Sequence, residues 1–200
     1  MPGSGPNSED MARQRHWKNY AQGGEAVFVT TTVLDFVHAF QASEARDEMV
    51  RVILERCRST RTGLTAFVVM PHHIHILIKL PAKLPVTEFA KRLKMAAAHR
   101  IRPLLPPSTE KLFDAQRGLN RRTFWQRSFR SAAVRDERMF WDIAEYIHEN
   151  PVKAGYVASS ADYRWSSARF LERGLWSEDL GLDLEAVLGD FARREASLNT

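Results

Sequence analysis

The order of predicted elements in this chain of 200 residues indicates an α+β fold, a ferredoxin-like sandwich with an antiparallel sheet. Three observations lead to this prediction. Runs rich in β-branched and apolar residues alternate with segments of helical periodicity. Their order is strand, helix, strand, strand, helix, strand, which is the split βαββαβ pattern. One more helical segment follows the last strand, and we expect it to lie across the sheet.

The first half of the chain supplies three strands and one helix. Residues 26–36 are rich in β-branched side chains and predict strand one. Residues 43–59 carry apolar side chains among charges and predict helix one. Residues 64–70 and 72–80 predict strands two and three, and Pro71 between them supplies a turn or marks a break at a sheet edge.

The second half continues this pattern. Residues 85–104 show an apolar stripe with basic residues beside it, which predicts helix two, and prolines end it. Residues 105–123 carry turn residues and charges, which indicate a loop. Residues 124–134 predict strand four. Residues 136–150 predict helix three, because their apolar residues recur at helical spacing.

The two ends of the chain differ in composition from the region between them. Residues 1–12 are rich in Gly, Pro, Ser and polar residues, and we expect them to be disordered. Residues 13–170 hold all the periodic segments and predict one domain, which opens with a basic, aromatic arm ending at Gly24. Residues 171–200 form an acidic C-terminal extension, which we expect to be a peripheral helical tail.

Composition excludes several classes of protein. The chain is 44% hydrophobic, which allows one domain with a sizeable core. Its single cysteine, Cys57, excludes an internal disulfide and fits a reducing compartment. No apolar run approaches the length of a membrane span, and the N-terminus lacks the apolar core of a signal peptide. We therefore expect a soluble, cytoplasmic protein with no membrane partner.

Basic residues are concentrated before the acidic extension, and the net charge is +5. Lys and Arg neutralise phosphates, and exposed aromatic rings such as Phe124, Trp125 and Phe129 stack on unpaired bases. The pattern therefore favours a single-stranded nucleic acid partner, and ordinary surface arginines are the alternative. The candidate DNA-binding residues are Arg13, Arg15, Trp17, Lys18, Lys91, Arg92, Lys94, Arg121, Arg122, Trp125, Arg127 and Arg130.

Three histidines interrupt an apolar stretch of the chain, at His72, His73 and His75. Successive side chains of a strand point to opposite faces, so His73 and His75 share one face and His72 takes the other. Two neutral imidazoles at this spacing reach one divalent ion and leave positions open for substrate. Ordinary half-exposed strand residues show the same alternation, so the pattern alone leaves both interpretations open.

Tyr146 and Asn150 are four residues apart on helix three and therefore share a face. A phenol near a divalent ion can attack a phosphodiester and form a covalent phosphotyrosine. The Asn150 oxygen offers a third ligand beside two imidazoles. Two structural alternatives stay open: Asn150 precedes Pro151 and ends the helix there, and Tyr146 packs as an amphipathic residue.

Five short motifs together resemble the REP-associated tyrosine transposases, single-tyrosine HUH enzymes related to the transposases of small bacterial insertion sequences. The resemblance covers about residues 13–170, and the combination is specific although each motif is weak alone. In order, the motifs are Met70-Pro71-His72-His73-Ile74-His75-Ile76-Leu77, Trp125-Gln126-Arg127-Ser128-Phe129, Val134-Arg135-Asp136-Glu137, Tyr146-Ile147-His148-Glu149-Asn150-Pro151-Val152-Lys153-Ala154-Gly155 and Tyr163-Arg164-Trp165-Ser166-Ser167.

The resemblance implies a ferredoxin-like catalytic domain that cleaves and rejoins single-stranded DNA carrying small hairpins, with Mg²⁺ or Mn²⁺ as cofactor. Carried over by position, it implies that His73, His75 and Asn150 bind the metal ion. It implies that Tyr146 is the nucleophile and that the intermediate is a 5′-phosphotyrosine. It also implies a bacterial, nucleoid-associated protein that acts as a monomer or a homodimer.

The chain departs from the family pattern at two places. His72 stands where the family usually has Asn, and we expect little effect because a strand turns this side chain away. Ser131, Ala132 and Ala133 replace a stretch that carries an Asp-His pair in many members, which removes a polar group that orients substrate. This second departure bears more on the efficiency of the reaction than on family membership.

Two other functions fit parts of the pattern. A domesticated, non-catalytic binder of hairpin DNA or RNA uses the same scaffold, but such a binder tolerates loss of the metal ligands and the tyrosine, all of which are present. An RNA-binding domain of the RRM type needs aromatic residues on its central strands, where strand three carries histidines. Strand transfer therefore ranks first.

Overall fold

The computed structural model describes residues 24–116 and 123–169. The predictions for residues 1–12, for most of the N-terminal arm and for the acidic extension 171–200 lie outside the described residues. Six candidate DNA-binding residues also lie outside them: Arg13, Arg15, Trp17, Lys18, Arg121 and Arg122.

The described residues form a four-stranded sheet and four α-helices. The strands are β1 (Ala26–Thr32), β2 (Gly63–Met70), β3 (His73–Lys79) and β4 (Arg130–Ala133). The helices are α1 (Ser43–Thr60), α2 (Val86–Ile101), α3 (Pro107–Gln116) and α4 (Glu137–Lys153). Short 3-10 turns lie at Leu34–Phe36, Arg102–Leu104 and Ser160–Asp162. None of the helices in these residues is long and apolar enough to cross a membrane.

The sheet confirms the predicted ferredoxin-like arrangement. Its strand order is β2-β3-β1-β4, and every neighbouring pair is antiparallel. The central strands β1 and β3 pair along their full length, from Ala26 opposite Lys79 to Thr32 opposite His73. The strand with the two alternating histidines therefore lies at the centre of the sheet, as the sequence predicted.

Helices cover both faces of the sheet. On one face, α1 and α2 pack on inward residues of all three long strands, among them Val27, Phe67 and Ile76. On the other face, α4 packs through Phe140 and Ile147 on the opposite residues of the same strands. Alternation along β3 sends His73 and His75 to the α4 face, because Leu77 belongs to that core and Ile74, Ile76 and Ile78 belong to the other.

Residues 165–167 lie along the outer edge of β2. Val69 N donates to Trp165 O at 2.9 Å, and Ser167 N donates to Phe67 O at 3.0 Å. The Ser167 hydroxyl accepts from Phe67 N at 2.9 Å and lies 2.8 Å from His148 Nε2 on α4. The last motif of the sequence thus closes a sheet edge whose backbone groups would otherwise lack partners.

Four predicted boundaries are wrong. Strand one ends at Thr32, and Leu34–Phe36 forms a 3-10 turn in which Asp35 and Phe36 have φ of 49° and 58°. The expected loop contains α3, and strand four is limited to Arg130–Ala133. Asn150 does not end its helix, because α4 continues through Pro151 to Lys153.

Candidate active site

Two histidines of β3 meet helix α4 at the centre of the sheet. The rings of His73 and His75 have centroids 4.7 Å apart, on the face that α4 covers. His75 is buried, with 5% of its surface exposed, and His73 is partly buried. The strand period of two places both imidazoles side by side under the helix.

The β1–β3 register fixes the orientation of His75. Thr30 lies directly opposite His75, and Thr30 Oγ1 is 2.8 Å from His75 Nδ1. In the tautomer in which Nδ1 donates to this hydroxyl, Nε2 keeps its lone pair for a ligand. A partner on the second ring nitrogen is the usual way in which proteins orient metal-binding histidines. Thr30 therefore belongs to the site, although no sequence motif pointed to it.

Asn150 joins the two histidines to helix α4. Its Nδ2 donates to Tyr146 O at 2.7 Å, one turn earlier on the helix. Hydrogen bonding between its side chain and the rings of His73 and His75 opposes the lowering of both pKa values by burial. The amide nitrogen is thus held by the helix, and the amide oxygen is directed at the imidazoles.

Both imidazoles are neutral near pH 7. Burial and the neighbouring His72 lower the pKa of His73 to about 4, against the opposing hydrogen bond from Asn150. Burial and the neighbouring His73 lower the pKa of His75 well below its ordinary value. The neutral imidazole is the form that binds metal ions, so burial prepares both rings as ligands without the proton release that a charged ring would need.

The donor set suits a divalent ion. Two neutral imidazoles and one amide oxygen make three protein donors, which leaves coordination positions open, as catalytic metal sites do. Imidazole nitrogens bind Mn²⁺ more readily than they bind Mg²⁺. No group of three or more His, Cys, Asp or Glu suited to a metal occurs in residues 24–116 and 123–169, and the Asn150 amide is the further oxygen donor beside the histidine pair.

Tyr146 lies beside this set. Its ring centroid is 5.4 Å from that of His75 and 6.0 Å from that of Phe28 on β1. Its ring is partly exposed, and Lys153 Nζ lies 6.0 Å from the ring centroid. Helical spacing brings Tyr146, Asn150 and Lys153 to the same side of α4. The ring of Tyr146 is therefore partly open to solvent beside the histidine pair.

The other described tyrosines are not placed for chemistry at this site. Tyr163 is buried, and its hydroxyl donates to Val69 O at 2.9 Å. Burial raises its pKa, which makes the phenolate less accessible. Tyr156 is 46% exposed and follows the end of α4, where its ring contacts Tyr163. Tyr146 alone, of the tyrosines in the described ranges, contacts the histidine pair.

The position of His72 corrects the sequence prediction. His72 lies in the turn before β3 and not on the opposite face of the strand. Its ring centroid is 4.5 Å from that of His73 and 5.3 Å from that of His38, on which it stacks. His72 therefore neighbours the site and lowers the pKa of His73 through its charge.

Trp125 is a core residue, contrary to the prediction that it stacks on DNA. It is 5% exposed, and its indole nitrogen donates to Lys94 O at 2.9 Å. Phe124 is 3% exposed, and Phe129 packs against the same core. Aromatic spacing does not reveal which rings face inward, so the sequence placed the stacking surface on the wrong residues.

The remaining candidate DNA-binding residues occupy two regions. Lys91 and Arg92 are exposed on α2, where Arg92 pairs with Glu88 at 2.6 Å. Lys94 is partly buried, and its Nζ donates to Gln126 O at 2.7 Å, so it fastens the 124–127 segment to α2. Arg127 is exposed in the segment that hydrogen-bonds the end of β1 through Gln126 N and Thr32 O.

Arg130 shares a cross-strand row with the site. Thr30 lies opposite His75 on one side and opposite Arg130 on the other. Directly opposite residues of an antiparallel sheet point to the same face, so the exposed Arg130 side chain lies on the α4 face beside Thr30. Ala132, on the same face of β4, packs against the α4 core.

Comparison with known proteins identifies the family. The model of the family described as IS200-like transposases matches residues 32–150, more than half of the chain. The chain belongs to this family. The matched range holds His73, His75, Tyr146 and Asn150, and Thr30 lies two residues before it.

Relatives of this IS200-like chain confirm the resemblance to REP-associated tyrosine transposases. A Haemophilus influenzae protein assigned as a REP-associated tyrosine transposase is 27% identical over 166 residues, covering 82% of this chain and 91% of the relative. The REP-associated tyrosine transposase of Escherichia coli K12 is 29% identical over 139 residues, covering 68% and 74%.

A solved structure shares the fold. The structure of a REP-associated tyrosine transposase bound to a REP hairpin aligns with a TM-score of 0.60 at 24% identity, covering 83% of this chain and 90% of that chain. The sandwich described above is therefore the architecture of this family.

Proposed function

We propose that this chain cleaves and rejoins single-stranded DNA at hairpin-containing repeats through a 5′-phosphotyrosine intermediate. The observation that carries the proposal is the convergence of His73, His75 and Asn150 beside the accessible ring of Tyr146. The transposase family of the chain supports the same chemistry. The domain responsible is residues 13–170.

The reaction divides into two balanced steps. The Tyr146 oxygen attacks the scissile phosphorus, a Tyr–O–P bond forms, and the P–O3′ bond breaks, releasing a 3′-OH. The 3′-OH of a second strand then attacks the phosphotyrosine, which restores the phenol and joins the strands. Mg²⁺ or Mn²⁺, when bound by His73, His75 and Asn150, supplies charge that polarises the phosphate and stabilises the leaving oxygen.

The residues of the chain position the reacting groups. Thr30 holds the His75 ring, and the Tyr146 carbonyl holds the Asn150 amide, so the ligands and the nucleophile form one connected unit. Arg130 is exposed in the cross-strand row of Thr30 and His75, and Arg127 is exposed three residues before it; both neutralise phosphates of the bound strand. Burial under α4 lowers the local dielectric, which strengthens each charge interaction with the phosphate.

A hairpin in single-stranded DNA is the proposed partner. A structurally similar transposase is bound to a REP hairpin, and the basic side chains described above fit a phosphate backbone of that kind. The protein is proposed to act as a monomer or a homodimer. Light scattering with and without the hairpin distinguishes these two states.

Formation of a covalent adduct tests the proposal. The protein is incubated with end-labelled hairpin DNA that carries single-stranded flanks, with Mg²⁺, Mn²⁺ or EDTA, and is resolved on a denaturing gel. We expect a labelled protein band with either metal and none with EDTA. Tyr146→Phe should abolish the band, because the phenol oxygen forms the bond.

Tyr156→Phe is the matched control, since it removes an exposed phenol outside the site and should leave the adduct unchanged. His73→Ala and Asn150→Ala should reduce the adduct at least 100-fold, with partial recovery at high Mn²⁺. Tight hairpin binding with no adduct under either metal would establish the non-catalytic binder instead.

A further inference from the structure

The turn after β1 presents one aromatic ring to solvent. Phe36 is 61% exposed, more than Trp141 or Tyr156. It has φ of 58° and follows Asp35 with φ of 49°, a left-handed conformation that is unusual for an aromatic residue. A left-handed conformation at a bulky residue is a form of backbone strain, and such strain is often found at binding and active sites.

The surrounding backbone holds this turn in place. Val33 N donates to His72 O at 2.8 Å, and Leu34 N donates to Phe124 O at 3.0 Å. Phe40 N donates to Pro71 O at 2.9 Å on the far side of the turn. Because both ends of the turn are fastened to the β2–β3 hairpin and to the segment before β4, the Phe36 ring is presented from a rigid base.

A series of ring contacts extends from Phe36 to the candidate nucleophile, Tyr146. Centroid distances are 5.6 Å from Phe36 to His72, 4.5 Å from His72 to His73 and 4.7 Å from His73 to His75. The last step, from His75 to Tyr146, is 5.4 Å. His38 stacks on His72, with ring centroids 5.3 Å apart. Three histidine rings in contact with one another therefore separate the exposed Phe36 ring from Tyr146.

We propose that Phe36 is a base-stacking residue that holds an unpaired nucleobase of the bound DNA strand near the scissile phosphate. The 64° angle between the Phe36 and His72 rings means that His72 does not cover Phe36 as a parallel stack, and the ring stays exposed for a base. Phe124 and Trp125 are buried in the core, and Phe129 is partly buried against it, so Phe36 is the most exposed aromatic ring in the described residues. The inference rests on the proposed function, since it assigns a contact to the same substrate.

Stacking on a phenyl ring favours an unpaired base over a paired one and discriminates weakly between base types, because every base has a π face. Phe36 therefore selects a single-stranded flank rather than a sequence.

Binding measurements with abasic DNA test this inference. Hairpin DNA with single-stranded flanks is titrated with protein in the Tyr146→Phe background with Mn²⁺, so that no strand is cut, and binding is followed by fluorescence anisotropy. Phe36→Ala should weaken binding about 10-fold, and Phe36→Trp should retain it. Leu112→Ala, an exposed apolar truncation on α3, is the control and should leave binding unchanged.

A single abasic position, moved along the flank, identifies the stacked base. One position should weaken binding to protein with Phe36 by about 10-fold and should have no further effect on protein with Phe36→Ala. Equal abasic profiles for the two proteins would overturn the inference. Because this readout needs no cleavage, loss of the covalent adduct with an intact profile would overturn the proposed function alone, and the reverse would overturn only the stacking role.

Discussion

Thr30 and Thr31 are adjacent on β1, and their side chains point to opposite faces of the sheet. Thr30 Oγ1 lies 2.8 Å from His75 Nδ1, on the face of the site. Thr31 Oγ1 is buried on the other face, and no group among the described residues forms a hydrogen bond with it. Removal of these two hydroxyls should therefore have different effects on metal affinity and on the free energy of unfolding.

The same substitution at both positions separates the role of Thr30 from a general effect on β1. Thr30→Val should weaken Mn²⁺ binding by about 10- to 100-fold, because His75 loses the partner that orients it. Thr31→Val should leave Mn²⁺ affinity unchanged and change the free energy of unfolding by less than about 1 kcal/mol, because it removes an unsatisfied hydroxyl. Isothermal titration with Mn²⁺ and denaturant unfolding measure the two quantities. Equal Mn²⁺ affinities for the two variants would contradict the role of Thr30.

The lowered pKa of His73 makes stability depend on pH. In the unfolded chain this imidazole takes up a proton near pH 6.5, but in the folded protein its pKa is about 4. The unfolded state therefore binds more protons between these values, and stability falls as pH drops from 6.5 to 4, by up to about 3 kcal/mol. Urea unfolding across this range in EDTA should show the decline. His73→Gln should have a shallower decline than the unsubstituted protein, and identical slopes would rule out this contribution.

Arg130 is the basic residue that the sheet register places in the row of His75 and Thr30. Arg130→Ala should weaken binding of single-stranded DNA at every sequence tested and reduce the slope of log K against log salt by about 0.7, as loss of one phosphate contact does. Arg58→Ala removes the same charge from the exposed end of α1, on the other face of the sheet, and is the control. Salt titrations in which both variants behave alike would show that only net charge matters.

Helix α4 carries the nucleophile and the third ligand, so its stability bears directly on the site. Its N-cap is Asp136, whose Oδ1 accepts from Met139 N at 2.7 Å. This bond satisfies one free amide of the first turn, and the carboxylate complements the positive end of the helix. The helix predicted from spacing, residues 136–150, therefore counted this cap as its first helical residue.

Replacement of this cap should lower stability without changing the chemistry. Asp136→Ala should decrease the free energy of unfolding by about 1 kcal/mol, and Asp136→Asn or Asp136→Ser should restore most of it. Thermal unfolding followed by circular dichroism measures this difference. Adduct formation well below the melting temperature should be unchanged. A stability of Asp136→Ala equal to that of the unsubstituted protein would mean that the helix needs no cap.

The sequence predicted the elements that have clear periodicity and missed those that depend on distant partners. Strands β2 and β3 and helices α1 and α4 follow from alternation and helical spacing. Helix α3, Pro107–Gln116, was missed because it has few large apolar residues: Phe113 is buried, but Leu112 beside it is 51% exposed. Strand β4 was predicted to be too long because Phe124 and Trp125, which are apolar, are buried in the core but lie outside the strand Arg130–Ala133.

Prediction of the site residues from the sequence was limited in the same way. Spacing brings His73 beside His75 and Tyr146 beside Asn150, because these pairs lie within single elements. Thr30 depends on the β1–β3 register, and Arg130 depends on the β1–β4 register, so neither has a local signal. Phe36 was assigned to a strand because its left-handed backbone conformation has no signature in a phenylalanine. The basic cluster of the sequence did include Arg130, but its place beside Thr30 and His75, like the role of Thr30 itself, follows only from the pairing of strands.

At the scale of the whole molecule, Cys57 reports on the integrity of the core. It is the single cysteine of the chain and is 3% exposed on α1. Burial raises the pKa of its thiol from 9.0 to about 12, with a smaller opposing effect from Arg56. The thiolate, which is the reactive form, is therefore scarce at pH 8.

Cys57 should resist a thiol reagent until the protein unfolds. At pH 8 the native protein should react with DTNB roughly 1,000-fold more slowly than the chain in denaturant, which should release one equivalent of thionitrobenzoate. The same assay should serve as a folding control for all the variants above. Complete reaction of native protein within minutes would show that α1 opens readily and that the core is less stable than its burial indicates.

The pairing of residues 165–167 with β2 has a consequence for how the chain is made. β2 ends at Met70, so about a hundred further residues must leave the ribosome before its outer edge acquires a partner. During that interval the nascent chain carries an apolar strand with free backbone groups, the kind of edge that pairs with other chains. Slow translation of the last third, or a truncation before Trp165, should therefore increase aggregation during expression, even though the histidines, Tyr146 and Asn150 have already been synthesised.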